Sequence, residues 1–221
     1  MIGRRSRKNI FTGALVAAAL SAVFAIAAKT TLIEGLSFAT AYVSVALLAA
    51  TLSIGPINLM RARPNPVSTH LRRDLGIWAA VTGIAHTLLG LQVHKGGSLS
   101  GYFVLPKTGA ALPLDSSTVF VAANYMGALA TVLFVVLMSL SSDFALRRAG
   151  TQRWKSLQRW SYVLAGFVIV HGFLYQLLEE RRFEAMASFG ILVAGVVLFQ
   201  IRGIVIARRR ATADLHRRRM R

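Results

Sequence analysis

Six apolar runs, each about as long as a bilayer is thick, constrain this chain more than anything else in it. Backbone amides cannot stay unpaired in lipid, so runs of this kind fold as helices. The fifth run is the most informative. From Trp154 to Leu178 it opens with cations, turns apolar and carries one histidine, His171, deep in the apolar part. The stretch Leu71 to His94 repeats the design, with His86 in the matching place. The fold class expected is an all-α membrane protein, a bundle of six transmembrane helices.

Charge supports this. Only 15% of the 221 residues are charged, against 55% hydrophobic, and the charges cluster at the ends of the apolar runs. A formal charge of +18 invites a nucleic-acid partner. Cations that flank membrane spans are what the positive-inside rule expects instead, so no nucleic acid is expected. There is no cysteine. That excludes disulfides, iron–sulfur clusters, thiolate zinc sites and covalently attached c-type haem.

Residues 1–9 form a basic N-terminus, residues 10–207 the helical bundle and residues 208–221 a polybasic tail. The first run, Ile10 to Ala28, resembles a secretory signal in its basic start and small residues. Its length is right for a spanning helix, so an uncleaved first helix is expected, with cleavage as the alternative. The second span is Leu36 to Met60, with Gly55-Pro56 near its end as a kink or stop. The third runs from Asp74 to about Val93, with Gly76, Gly83 and Gly90 on one face. Those glycines make either a close-packing seam or a flat wall for a ligand. The loop 94–117 is rich in Gly, Ser and Pro and reads as a lid, a docking surface or a linker. The fourth span, Thr118 to Leu140, carries the polar Asn124. The linker from Ser141 to Lys155 is basic, and the fifth span follows from about Ser156 to Leu178. The sixth runs from Glu184 to about Ala207.

Lys and Arg divide 21 to 5 between the two sets of connections, the larger set including both termini. Both termini are therefore expected in the cytoplasm. The third and fifth spans then run the same way. His86 lies roughly 18 Å and His171 roughly 22 Å along them, so the imidazoles share a depth in the outer half of the membrane. No Asp or Glu lies near the middle of any span. That argues against a proton-coupled transporter and against a general acid–base hydrolase. One reading of the pair is packing, each histidine bonding a neighbouring helix. Zinc would want three or four ligands. A bis-histidine haem wants two, one per axial position, and fits better. His94, at the end of the third span, reads as an interfacial residue or a propionate contact. His70 and His216 lie in connections and read as solvent-facing.

At these residues the chain resembles the ferric-reductase-like transmembrane family. Within it, the similarity is greatest to the haem-binding membrane subunit of bacterial periplasmic methionine sulfoxide reductase systems. The family's basic pair, Leu-Gly, aromatic and histidine look like Arg72-Arg73-Asp74-Leu75-Gly76-Ile77-Trp78 and then His86. Its tryptophan, basic stretch and aromatic helix ending in histidine look like Trp154 through His171. Tyr125-Met126-Gly127 fits more loosely. The resemblance covers about residues 40–200. It implies non-covalent haem b with His86 and His171 as iron ligands. Family members often carry a second, inner haem. Here Gln158 stands 13 residues before His171, and Arg73 and Arg72 stand 13 and 14 before His86. One haem per chain is therefore implied.

The expected function is that of a membrane b-type cytochrome of the bacterial inner membrane, an electron-transfer subunit of an oxidoreductase. With no Gly-rich nucleotide fingerprint in the chain, the electrons come from a separate donor, and quinol is the natural one. The acceptor is a periplasmic reductase partner or a metal ion. Lys95, Arg181 and Arg182 are candidate propionate partners. The rival expectation is a haem-free membrane assembly or docking protein. A small-molecule transporter is a third class, disfavoured because no internal repeat is evident.

Overall fold

The structure is a computed structural model, and it describes residues 31–62, 69–104, 116–178 and 183–219, together with Gly13 and Ala18. Most of the first apolar run, the 63–68 turn, residues 105–115 of the long loop, Arg181 and Arg182 fall outside the described residues. Within them the chain is helical and contains no strand. Its long helices are α1 (Leu32–Met60), α2 (Thr69–Val93), α4 (Ser116–Leu140), α6 (Trp160–Leu178) and α7 (Phe183–Arg219). Two shorter helices, α3 (Leu99–Phe103) and α5 (Asp143–Gln158), lie in the connections. Five described segments, one in each long helix with the fourth starting back in α5, are long and apolar enough to cross a membrane. Large apolar side chains point outwards from them, among them Leu88, Val132, Ile191 and Leu198. That is the make-up of a multi-pass membrane protein, whose outer surface meets lipid.

Thr31 starts α1. Its hydroxyl accepts from the Glu34 amide at 3.4 Å, in a Thr-x-x-Glu capping arrangement. Glu34 also suits the positive end of the helix dipole. The hydroxyls inside α1 satisfy themselves. Thr40, Thr51 and Ser53 donate back to carbonyls one turn earlier, at 2.7–2.8 Å. Ser44 instead reaches across to the Ala79 carbonyl at 2.8 Å.

The glycine heptad of α2 resolves as a packing seam. Ser37, Ser44 and Thr51 of α1, also seven apart, are the nearest α1 side chains to Gly90, Gly83 and Gly76 respectively. Gly83 is the tightest, because an added Cβ would lie 2.8 Å from the Phe134 ring and 2.9 Å from the Ser44 hydroxyl. Small residues let the two backbones approach, and α1 and α2 form the most extensive helix pair. Gly83 and Gly90 also line the cavity described below.

Pro56 neither ends nor breaks α1. It has no N–H, so the Leu52 carbonyl loses its helical donor. Gln200 of α7 replaces it, donating from Nε2 at 2.8 Å. Gly203 makes room for the proline, whose Cβ lies 3.1 Å from where a Gly203 Cβ would be. Arg210 then caps the Leu59 carbonyl at 3.1 Å. The basic tail thus continues as helix to Arg219 and fastens part of itself to the end of α1.

Around the bundle the order is α7, α1, α2, α4, α6. Gly13 lies against α2, where an added Cβ would come within 2.5 Å of the Trp78 ring. The linker after α4 is helical, bent at Gly150 (φ 72°), and Trp154 turns back to donate to the Leu140 carbonyl at 2.8 Å. We call the end where α2 and α6 finish the upper end. Leu48, Leu52, Ala79, Ala80, Ala130, Phe134, Leu137 and Leu164 form a hydrophobic core towards the lower end.

Candidate functional site

The two helices that carry histidine bring them together. His86 of α2 and His171 of α6 have ring centres 6.1 Å apart, with the planes at 66°. Each ring is fixed by the helix beside it. His86 Nδ1 lies 2.8 Å from the Ser37 carbonyl of α1 and 3.2 Å from the Ser37 hydroxyl. His171 Nδ1 lies 2.8 Å from the Ala123 carbonyl of α4. A carbonyl can only accept, so Nδ1 carries the proton in both rings. The lone pair then sits on Nε2, the atom by which a neutral imidazole binds a metal. A backbone carbonyl on the other nitrogen is also how metal-binding histidines are commonly oriented.

Gly127 is what lets His171 reach its carbonyl. It lies one turn beyond Ala123 on α4, and an added Cβ there would be 2.8 Å from both Cε1 and Nδ1 of the ring. The bond therefore depends on a missing side chain.

Both histidines line a cavity of about 230 Å³. Its lower part is walled by Gly83 and Phe134, and its mouth by Glu34, His94 and Gln176. Along α2, from Gly83 to His94, that is roughly 16 Å at 1.5 Å per residue. The histidines lie partway up. Two imidazoles that bind one ion from opposite sides at about 2.0 Å have ring centres roughly 6.3 Å apart, close to what the pair presents. Among the described residues no group of three or more His, Asp or Glu gathers to hold a bare metal ion. The arrangement suits an ion whose remaining positions are filled by something other than protein.

Above the histidines an aromatic cluster packs beside the mouth. Tyr175 packs on His171 with ring centres 4.9 Å apart, and His94 stacks on Tyr175 at 6.3 Å and 27°. Phe120 contacts both His94 and Tyr175 at 6.0 Å. Asn124 ties the cluster to the loop. It accepts from the Tyr175 hydroxyl at 2.8 Å and donates to the Phe120 carbonyl at 2.9 Å and the Tyr102 carbonyl at 3.3 Å.

The beginning of the long loop folds back as a lid. Lys95–Gly97 makes a 3-10 turn in which Lys95, Gly96 and Gly97 all take positive φ. The short α3 then buries Tyr102, which is 2% exposed. Its hydroxyl accepts from the His94 amide at 2.9 Å and can donate to the carbonyl of Gly90 or His94. It thereby caps the end of α2. Burial pushes the Tyr102 phenol above its ordinary value, and the His94 amide N–H, which donates to the phenol oxygen, opposes the shift.

The predicted site residues are placed unevenly. His86 and His171 meet, and His94 stands at the mouth. Lys95 holds its ammonium 5.6 Å from the centre of the Phe120 ring, over the cluster rather than in the cavity wall. Arg181 and Arg182 lie outside the described residues, and so do the side chains of His70 and His216. Gln176 was missed. It is 9% exposed, lines the cavity and makes no hydrogen bond among the described residues. A lone glutamine near the end of an apolar helix is the signal that could have found it. No family model and no solved structure matches the chain.

Proposed function

We propose that this protein is a membrane b-type cytochrome that carries electrons to an acceptor outside the cell membrane through one bis-histidine haem. One observation carries the reading. Two imidazoles from different helices stand 6.1 Å apart on a cavity wall, each with Nδ1 tied to a backbone carbonyl. The haem, when bound, supplies an iron that cycles between ferric and ferrous states.

The chain does the rest. His86 and His171 offer neutral Nε2 donors held by their own helices, so little ring freedom is lost on binding. Gly127 keeps a Cβ out of the space beside His171, and a Cβ at Gly90 would lie 3.9 Å from Cε1 of His86. The aromatic cluster and the Tyr102 lid shield the upper side from water. Shielding and ligand identity are two of the levers that set a haem's potential.

Six spans with both termini in the cytoplasm put the upper end outside, as the Lys and Arg count requires. A lipid-soluble quinol is the donor in this reading, and a periplasmic reductase subunit or a metal ion the acceptor.

The test is a dithionite-reduced minus air-oxidised spectrum of the full chain in mild detergent, beside His86→Ala and His171→Ala. A low-spin b-type spectrum at one haem per chain, lost in both variants, is expected. Absence of haem after expression with ample haem supply sinks the reading and leaves a haem-free docking or assembly protein.

A further inference from the structure

Gln176 is only 9% exposed, lines a cavity that is otherwise mostly apolar, and makes no hydrogen bond among the described residues. An amide that faces a cavity and has no protein partner keeps its N–H donors available to a bound group. It lies five residues beyond His171 on α6, roughly 7.5 Å further up and roughly 140° around the helix. That places it at the rim of the cavity, above and to one side of the ligand nitrogen. Glu34 stands at the same mouth from the α1 side, one turn above Ser37, and its carboxylate makes no ion pair or hydrogen bond among the described residues. The mouth is therefore asymmetric. One side offers N–H donors, the other a negative charge.

We propose that Gln176 is the residue that holds the carboxylate edge of the haem, and that Glu34 turns that edge towards α6 and away from α1. This rests on the haem reading above. A haem's outer edge carries two carboxylates. An amide N–H bonds one favourably, and a like charge repels it. Gln176 takes the place that cation counting would give to Lys95, whose ammonium is held over Phe120. The ring's rotation about the axis through the two histidines is then fixed by one donor and one repulsion, from two side chains without partners among the described residues.

The experiment uses the full chain, stripped of haem and reloaded either with haem or with its dimethyl ester, in which both carboxylates are masked. The rate of transfer to excess apomyoglobin is measured. Gln176→Leu is expected to release haem about ten-fold faster or more, the factor for losing a hydrogen bond to a charged group. With the ester, wild type and variant should agree within about two-fold, because the charge is gone. Glu34→Gln should slow release of haem and leave the ester unchanged. Gln176→Asn carries the same comparison should the leucine variant not fold. Equal factors for haem and ester, or no change with either, overturn the assignment while the cytochrome reading stands. A wild-type chain that binds neither porphyrin overturns both.

Discussion

Gly127→Ala tests the site without touching a polar group. The new methyl would lie 2.8 Å from Cε1 and Nδ1 of His171. Ordinary carbon contacts need about 3.5 Å or more, so the ring must retreat by roughly 0.7 Å. Retreat stretches the 2.8 Å bond from Nδ1 to the Ala123 carbonyl towards the limit of hydrogen bonding. Overpacking of this kind costs about 1–3 kcal/mol, and a lost hydrogen bond adds about 1. Alanine returns about 1 kcal/mol through its better helix propensity. The net expectation is a loss of about 1–3 kcal/mol. For a chain of this size that is a fall of roughly 2–12 °C in Tm. The control is Gly166→Ala on α6, where nothing lies within 4 Å of the new Cβ and the change should be neutral or stabilising. Both variants would be melted in detergent beside wild type. A Gly127→Ala protein no less stable than Gly166→Ala would refute the claim that His171 is seated by the missing side chain.

Three more outcomes follow from the fold. Gln200→Leu should cost about 1 kcal/mol by stranding the Leu52 carbonyl, and much less in a Pro56→Ala background, where the helix supplies its own donor; denaturant melts of the four proteins measure the coupling. Tyr102 has a folded pKa above its unfolded one, so its neutral form stabilises the lid up to the ordinary phenol pKa. That stability is lost as pH rises through the folded value. Stability between pH 9 and 12 should therefore fall less steeply in Tyr102→Phe, and a matching slope in wild type and variant would count against the buried cap. The chain has no cysteine, so single cysteines report topology cleanly. An impermeant maleimide added to intact cells should label Ser100→Cys and spare Arg147→Cys, and the reverse would invert the orientation.

Much of this was legible because membranes simplify folding. Long apolar runs become helices, and the described ones appear where the hydropathy put them. The boundaries moved for local reasons. Helix α1 starts four residues earlier than expected because Thr31 and Glu34 form a cap. It passes through Pro56 because Gln200, 148 residues beyond Leu52 in the chain, supplies the lost donor. No reading of a single helix can see that. The meeting of His86 and His171 was legible from depth and direction alone. What fixes them was not, since Ser37 and Ala123 contribute backbone carbonyls, which every residue has. Tyr175 and Gly127 likewise look ordinary until their helices are brought together.

The bundle also separates packing from chemistry along its length. Towards the lower end, leucines, alanines and Phe134 interlock into core. Towards the upper end, glycine, serine and histidine leave a cavity. The difference follows from side-chain volume, since a seam of small residues brings α1 and α2 close yet fills little space between α2 and α6. Gln158, where an inner ligand would stand in the resembled family, has its Nε2 buried without a hydrogen bond. An amide offers iron no imidazole nitrogen, and core residues occupy that part of the bundle. A ring stacked below the first would have to displace Leu164, which is 1% exposed, and break that core. On the haem reading proposed above, one ring in the upper half is therefore expected, and a stoichiometry of two would require the core around Leu164 to open.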